Sequence, residues 1–262
     1  MLAAERIVRC EGINNFRDFG GWRAADGARV ATGRLFRSAH LHRASAADLD
    51  RIAGAGITTV ADLRHPGERQ AQPSAWIGRL PLRAIVAEEG GGTEEAPHIL
   101  ALRASDFGAA AMRRFLADYY ETMAYEPQHI AVYTAYFDAL ADNPGATLIH
   151  CAAGKDRTGI LAWLTHRLLD VHPDDALEDY LLSNVAGNLA DRMPHIRASM
   201  ERTYGRTISE EGLTVLLSVE PDYLRRCEAG LVATSGSVNA YLADVLDVGP
   251  AKAQRIRERL MT

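Results

Sequence analysis

An α/β protein is predicted here, with a central, mainly parallel sheet flanked by helices and a C-terminal helical cover, and three observations predict it. The runs Ile57-Thr58-Thr59-Val60-Ala61-Asp62-Leu63 and Thr147-Leu148-Ile149 are apolar or β-branched without alternation, the pattern of inner strands covered on both faces. Segments with apolar residues at helical spacing lie between and after them, giving the strand, loop and helix order of parallel βαβ units. Beyond His172-Pro173 the pattern is helical throughout.

With 262 residues the chain is long enough to bury a substantial core. It is read as a single domain, 1–262, with a helical lid or insertion at about 173–232. An apolar fraction of 47% and a charged fraction of 24% are globular values. The net charge of −5 gives no reason to expect nucleic acid, so an anionic ligand must be drawn by local positive groups. All 29 basic residues are arginine except Lys155 and Lys252. Three widely spaced cysteines without a CxxC pair suggest neither a disulfide framework nor a zinc site. No metal or cofactor is expected, and a reducing compartment, the cytoplasm, is the natural reading. No apolar leader or membrane-length run is present, although signal-independent export stays open. Oligomeric state is not legible.

The first forty residues read as a strand-rich cover. Asp26-Gly27 between Trp22-Arg23 and Arg29-Val30 predicts a hairpin, and a short strand follows at 34–37. Ser45-Ala46-Ala47-Asp48 has the form of a capping box, with Leu49, Ile52 and Ala53 on the buried face of its helix, which stops near Gly54 or Gly56. The strand at 57–63 then delivers Asp62 and Arg64 at its C-terminal end, where ligands gather in open α/β sheets. A further strand at 80–86 carries Pro81, which argues for an edge position. Residues 88–95 read as an acidic, glycine-containing linker. Helices are expected at about 109–123 and 128–141, the second ended by Asn143-Pro144-Gly145. Their aromatics are read as core rather than as a platform for bases. Pro173 with Asp174 and Asp175 starts another helix. Val185, Leu189, Met193, Ile196 and Met200 form one narrow apolar stripe, kinked at Pro194, that packs on neighbouring elements or covers the site. Pro221 opens a helix, and 237–246 and 249–260 form a terminal helical pair.

Chemistry concentrates in Cys151-Ala152-Ala153-Gly154-Lys155-Asp156-Arg157-Thr158-Gly159, between the strand ending at His150 and the helix carrying Ile160, Leu161 and Leu164. A loop this short turns backbone N–H groups inward and, with a helix N-terminus behind it, makes a concave anion site. A thiol attacks only as thiolate, a form that helix N-termini and nearby cations stabilise, and this segment supplies both. Arg157 offers a bidentate fork to two phosphate oxygens, and Thr158 a hydroxyl to the thiolate or the departing group. Gly154 relieves crowding where backbone approaches ligand. Lys155 is read as aiming a further charge at the mouth, and His150 as fixing the loop from behind. A bare C-x5-R is a weak signal; its placement after a β-like run and before an apolar helix is what gives it strength.

This segment resembles the phosphate-binding loop of cysteine-dependent protein tyrosine phosphatases, in the GKDR form of an atypical bacterial branch that acts on phosphotyrosine, in some members phosphoserine and phosphothreonine, and often phosphoinositides. Asn15-Phe16-Arg17-Asp18-Phe19-Gly20-Gly21, Gly33-Arg34-Leu35-Phe36-Arg37-Ser38, Asp62-Leu63-Arg64 with Glu68, Asp179-Tyr180-Leu181-Leu182-Ser183-Asn184 and Pro221-Asp222-Tyr223-Leu224 are similar to that branch as well. The resemblance implies a tyrosine phosphatase-like fold and a two-step reaction in which Cys151 is phosphorylated and then hydrolysed. It implies Ala152, Ala153, Gly154, Lys155 and Thr158 around the substrate and a phosphorylated protein or phosphoinositide as partner. It makes Asp156 the acid or orienting group, since no Trp-Pro-Asp tripeptide is present; Asp62 is a second candidate and Asp106 a third. The alternative for Asp156 is that it braces the loop through backbone or Arg17. Arg17, Asp18 and Arg37 are expected to support the loop. A phosphate-binding module without turnover and a rhodanese-like sulfurtransferase are the competing functions.

Overall fold

The computed structural model describes residues 3–87, 103 and 107–262. Five strands, β1 (Arg17–Asp18), β2 (Leu35–Ser38), β3 (Ile57–Asp62), β4 (Arg83–Val86) and β5 (Ala146–His150), form one sheet in the order β1-β2-β5-β3-β4. Only the β1–β2 pair is antiparallel. All five residues of β5, the middle strand, are buried. Its non-alternating sequence follows from having a core on each face. Leu148 packs with Phe36, Val60, Leu49 and Ile52 on one side, whereas Ile149 packs with Leu35 and Ala61 on the other, the two-residue period of a pleated strand. His150 is in register with Ser38 on β2 and Asp62 on β3. Three strand ends therefore reach one edge of the sheet together, and the loop after β5 leaves from that edge.

The first face is covered by α1 (Ala46–Gly54), which Ser45 opens with the expected capping box: its hydroxyl accepts from the Asp48 N–H at 3.2 Å while Asp48 accepts the Ser45 N–H at 3.1 Å. Such a cap stabilises a helix by about 1 kcal/mol. A short α2 (Pro66–Ala71) follows β3. The larger core on the other face gathers α3 (Ala109–Thr122), α4 (Pro127–Asp142), α5 (Arg157–Leu168), α6 (Pro173–Leu181), α8 (Leu189–Tyr204), α9 (Glu210–Leu217), α10 (Pro221–Ser235) and α11 (Pro250–Leu260), with the short α7 (Ser183–Ala186) between α6 and α8. α5 is buried continuously from Arg157 to His166. It runs back beneath the sheet from the loop it begins, so its N-terminus is held in place by packing rather than by propensity.

Several expectations need correction. The N-terminal cover holds two short strands, β1 and, one residue later than the expected 34–37, β2, while the expected hairpin is reduced to an isolated bridge of Arg23 with Arg29 across the Asp26-Gly27 turn. The strand expected at 80–86 begins at Arg83, after Pro81, and lies at the sheet edge as Pro81 suggested. The apolar stripe from Val185 to Met200 is not one helix, because Asn188 in a left-handed conformation (φ 49°) separates α7 from α8. Val185 is consequently 67% exposed, while Met193, Ile196 and Met200 pack against the larger core. The acidic linker at 88–95 and Asp106 lie outside the described residues.

Candidate active site

The backbone of the loop after β5 is held from outside by its carbonyls. The Ala152 oxygen accepts the His40 N–H at 3.1 Å. The Ala153 oxygen accepts from the Asn15 side-chain amide at 3.3 Å. The Gly154 oxygen takes both Asn15, at 2.8 Å, and Arg37, at 3.0 Å. In a planar trans peptide the C=O and the following N–H point in opposite directions, so three carbonyls drawn outward turn the N–H groups of Ala153, Gly154 and Lys155 inward. Those N–H groups have no acceptor among the described residues, and the N-terminus of α5 adds its dipole to the same hollow.

Two glycines make this shape possible. Gly154 has φ +69°, and a Cβ there would lie 2.2 Å from the Ser38 carbonyl oxygen. The crowding it relieves thus comes from the end of β2 and not, as the sequence suggested, from a ligand. Gly159 lets α5 approach Tyr180, whose ring lies 2.9 Å from where its Cβ would be.

Cys151 is buried at the end of β5. Burial foremost pushes the thiols of Cys10 and Cys227 up to about 12. Arg157 begins α5, and its guanidinium is gripped by Glu68 of α2. NH1 donates to Glu68 Oε2 at 2.6 Å and to the Leu63 carbonyl at 3.1 Å, and NH2 donates to Glu68 Oε1 at 2.9 Å. Of the five guanidinium N–H donors, Nε–H and the second N–H of NH2 remain. These two share one edge of the group, the geometry of a bidentate oxyanion fork. Burial raises the Glu68 carboxyl, but Arg157 outweighs it and holds the group at about 2. Burial likewise opposes the Arg157 charge and is overcome by Glu68, with Tyr119 and Cys151 acting in the same sense. Thr158 is fully buried, and its hydroxyl has no hydrogen-bond partner, an arrangement that calls for a function because buried hydroxyls are normally bonded.

Asp156 stands at the N-cap of α5 without capping it. Its Oδ1 accepts from the Tyr120 hydroxyl at 2.7 Å and from Lys155 Nζ at 2.7 Å. Its partners are therefore neither backbone nor Arg17. Lys155 is also not the free cation at the mouth that the sequence suggested: it is buried, and Nζ bonds Asp156 and the Ser218 carbonyl after α9. The Tyr120 hydroxyl in turn accepts from the Tyr180 hydroxyl at 2.8 Å.

His150 lies behind the loop, fully buried, with Nδ1 3.3 Å from the Cys151 carbonyl and Nε2 3.6 Å from Asp62 Oδ2. Asp62 is engaged by Arg64 through Nε and NH2 at 2.9 and 2.7 Å. Burial pushes its carboxyl up, yet His150 and Arg64 prevail and hold it below the usual range, which makes it a poor proton donor. Arg17 and Arg37 are both fully buried around Asp179: Arg17 Nε reaches Oδ1 at 3.1 Å and Arg37 NH1 reaches Oδ2 at 2.7 Å. Arg17 also donates to Asn15 Oδ1, so it acts on the loop through Asn15, while Arg37 touches the loop directly. Asp18, expected beneath the loop, instead accepts the N–H groups of Gly20 at 2.7 Å and Gly33 at 2.6 Å and braces the turn between β1 and β2.

Sequence reasoning had no role for Asn15 or Glu68, although both stood in segments already singled out, and it did not single out Tyr120 at all. A tyrosine on the apolar face of a helix carries no local mark distinguishing it from core. Among the described residues one group could hold a metal ion: His65, Glu126 and His129, whose ligand atoms lie within 4.8 Å of one another. The Gln128 amide nitrogen already sits 2.6 Å from His65 Nε2.

Residues 8–262 match a family model described as the tyrosine phosphatase family. A Cupriavidus necator protein bearing the name tyrosine-protein phosphatase is 35% identical over 240 residues, covering 92% of this chain and 84% of its own. The triple specificity protein phosphatase PtpB of Mycobacterium tuberculosis is 26% identical over 279 residues, covering 92% of this chain and 97% of its own. A tyrosine-protein phosphatase of Nostoc commune is 30% identical over 152 residues, covering 56% of this chain and 47% of its own.

Proposed function

From the premise that this chain belongs to the tyrosine phosphatase family, and so is a phosphatase, we propose that it hydrolyses phosphotyrosine through a phosphocysteine formed on Cys151. The observation that carries this reading is the loop itself. Three outward carbonyls, three inward N–H groups and the remaining edge of Arg157 describe a cradle for a phosphoryl group beside one thiol. In the first step the Cys151 thiolate forms an S–P bond as the P–O ester bond breaks, and the departing oxygen takes a proton from Asp156. In the second, water attacks phosphorus, the S–P bond breaks, Asp156 recovers a proton from that water, and inorganic phosphate leaves. Arg157 and the loop N–H groups hold the charge of the three equatorial oxygens in both steps. The Thr158 hydroxyl stabilises the thiolate when Cys151 is the leaving group. His150, Asp62 and Arg17 support the loop, and the whole chain, 1–262, acts as one catalytic domain.

No described helix is long and apolar enough to cross a membrane. The three cysteines are free thiols, and a reducing compartment, the cytoplasm, suits an enzyme that needs one of them. The name of the Mycobacterium tuberculosis relative speaks of triple specificity; for this chain, phosphoinositides are implied by the resemblance, to which the sequence adds only the charge of the extra arginines and of Lys155. Its pairing with Asp156 leaves phosphotyrosine as the substrate best supported. Steady-state turnover of para-nitrophenyl phosphate, then of a phosphotyrosine peptide against phosphoinositide micelles, tests this. Turnover of the aryl ester and a higher kcat/KM on the peptide are expected; an inert protein, or preference for the lipid, contradicts the reading.

Two substitutions examine the parts. Asp156→Asn is expected to slow phenyl phosphate on the order of a hundredfold and para-nitrophenyl phosphate far less, since a positioned acid contributes about 10²–10⁴ where the leaving group needs a proton; equal loss on both esters would count against an acid. Glu68→Gln keeps the shape but loses the charged two-point grip on Arg157. Its kcat/KM should fall about a hundredfold on either ester, the scale of a misplaced binding group, and an unchanged value would show that Arg157 is aligned without it.

A further inference from the structure

Asp156 is held from one side only. Both of its donors, Tyr120 and Lys155, bond Oδ1, and Oδ2 has no partner among the described residues. A carboxylic acid whose one oxygen is fixed by a donated hydrogen bond keeps its plane fixed and carries its proton on the other oxygen. What sets that plane lies deeper. Tyr120 is completely buried on α3, where its companions on the same face, Met112 and Leu116, are apolar. Its ring stacks on Tyr223 of α10 at 5.1 Å and 25°, and meets Tyr180 of α6 edge-on at 6.4 Å. Its hydroxyl has both roles filled, accepting from Tyr180 at 2.8 Å and donating to Asp156 at 2.7 Å. Ring and hydroxyl are thus immobilised by three helices, and the chain of bonds runs in one direction, from Tyr180 through Tyr120 to Asp156. Lys155 is less suited to this role, because a lysine stem is flexible and its ammonium is shared with the Ser218 carbonyl.

We propose that Tyr120, backed by Tyr180, is the positioning residue of the catalytic acid, fixing Oδ1 of Asp156 so that Oδ2 faces the leaving oxygen. This rests on the reading of Asp156 as the acid. Burial pushes the Tyr120 phenol well above its ordinary value, with Asp156 acting in the same sense, so it remains a donor throughout the working pH range and is not itself the acid. A tyrosine that only fills the core would matter equally for every substrate. One that aims an acid matters only where the leaving group needs a proton.

The test compares wild type, Tyr120→Phe, Asp156→Asn and the double variant on para-nitrophenyl phosphate and on phenyl phosphate, the poorer leaving group. Phenylalanine keeps the ring packing and removes only the hydroxyl. The expected result for Tyr120→Phe is a loss of about tenfold in kcat on phenyl phosphate, less than about twofold on para-nitrophenyl phosphate, and an unchanged KM, since misaiming an acid forfeits part of its contribution. In the Asp156→Asn background the same change should add nothing, because the two act as one unit. Equal loss on both esters, or a full multiplicative effect in that background, overturns the proposal while leaving Asp156 as acid intact. If Asp156→Asn itself shows no leaving-group dependence, the acid reading fails and the proposal with it. Should Tyr120→Phe not yield folded protein, Tyr180→Phe carries the test: the same selective loss, smaller in size, supports it, and equal loss on both esters overturns it.

Discussion

Cys151→Ser is expected to abolish turnover, lowering kcat/KM by roughly ten-thousandfold or more, the scale seen when a nucleophile is removed. The reason is chemical rather than steric. A serine hydroxyl is nearly the size of the thiol, but it does not ionise at neutral pH and is a poor leaving group from phosphorus. The cradle should survive, because the bonds that shape it come from Asn15, Arg37 and His40 to backbone carbonyls and none involves the sulfur. Binding of inorganic phosphate should therefore persist in the variant while hydrolysis is lost. Isothermal titration beside steady-state kinetics checks both halves; variant turnover within tenfold of wild type would remove Cys151 from the mechanism. Cys10 and Cys227, each pushed up to about 12, should resist alkylation near neutral pH.

Asp179→Ala should cause the largest loss of stability, about 3–5 kcal/mol by the usual cost of leaving a buried charge uncompensated. Two guanidiniums, Arg17 and Arg37, are fully buried against this one carboxylate. Burial first, and then the neighbouring Arg37, lowers the Arg17 guanidinium to about 10; without Asp179 the two cations face each other with only neutral acceptors. Burial opposes ionisation of Asp179 as well, but the two arginines overcome it and carry the carboxyl from its ordinary 3.8 to about 2. A carboxyl lowered on folding contributes its stability above its unfolded value and loses it as pH falls through the folded one. Wild type should thus lose stability between about pH 4 and pH 2, and Asp179→Ala should show a flatter acid limb. Urea unfolding at neutral and acid pH measures this. A loss below about 1 kcal/mol, typical of exposed pairs, would mean that the network carries little stability. The loop should suffer too, since Arg37 holds Gly154 in place.

How much of this was legible in the sequence depended on whether a role is written locally. The strand, loop and helix around Cys151 could be read because the whole unit is contiguous, and the two inner strands because lack of alternation signals burial on both faces. Capping at Ser45 and the edge position of the strand after Pro81 were legible for the same reason, each depending on a few adjacent residues. The long-range braces were not. Asn15, Glu68 and Tyr120 lie 138, 89 and 36 residues from the loop atoms they bond, and nothing in their own neighbourhoods points there. Lys155 was misread because its position in the motif suggested a ligand-facing cation, whereas its ammonium finds a carboxylate at the next residue and a carbonyl 63 residues on. The stripe through Val185 failed at Asn188, a residue that tolerates left-handed backbone better than most.

The central claim is that the phosphoryl group passes through the Cys151 sulfur, and trapping the intermediate tests it most directly. Wild-type protein is mixed with excess para-nitrophenyl phosphate, quenched in acid during steady turnover, digested and mapped by mass spectrometry. A phosphoryl adduct on the peptide containing Cys151, absent from Cys151→Ser, is the predicted result. Turnover with no adduct at any quench time, or an adduct on His40 or His150 instead, would contradict it.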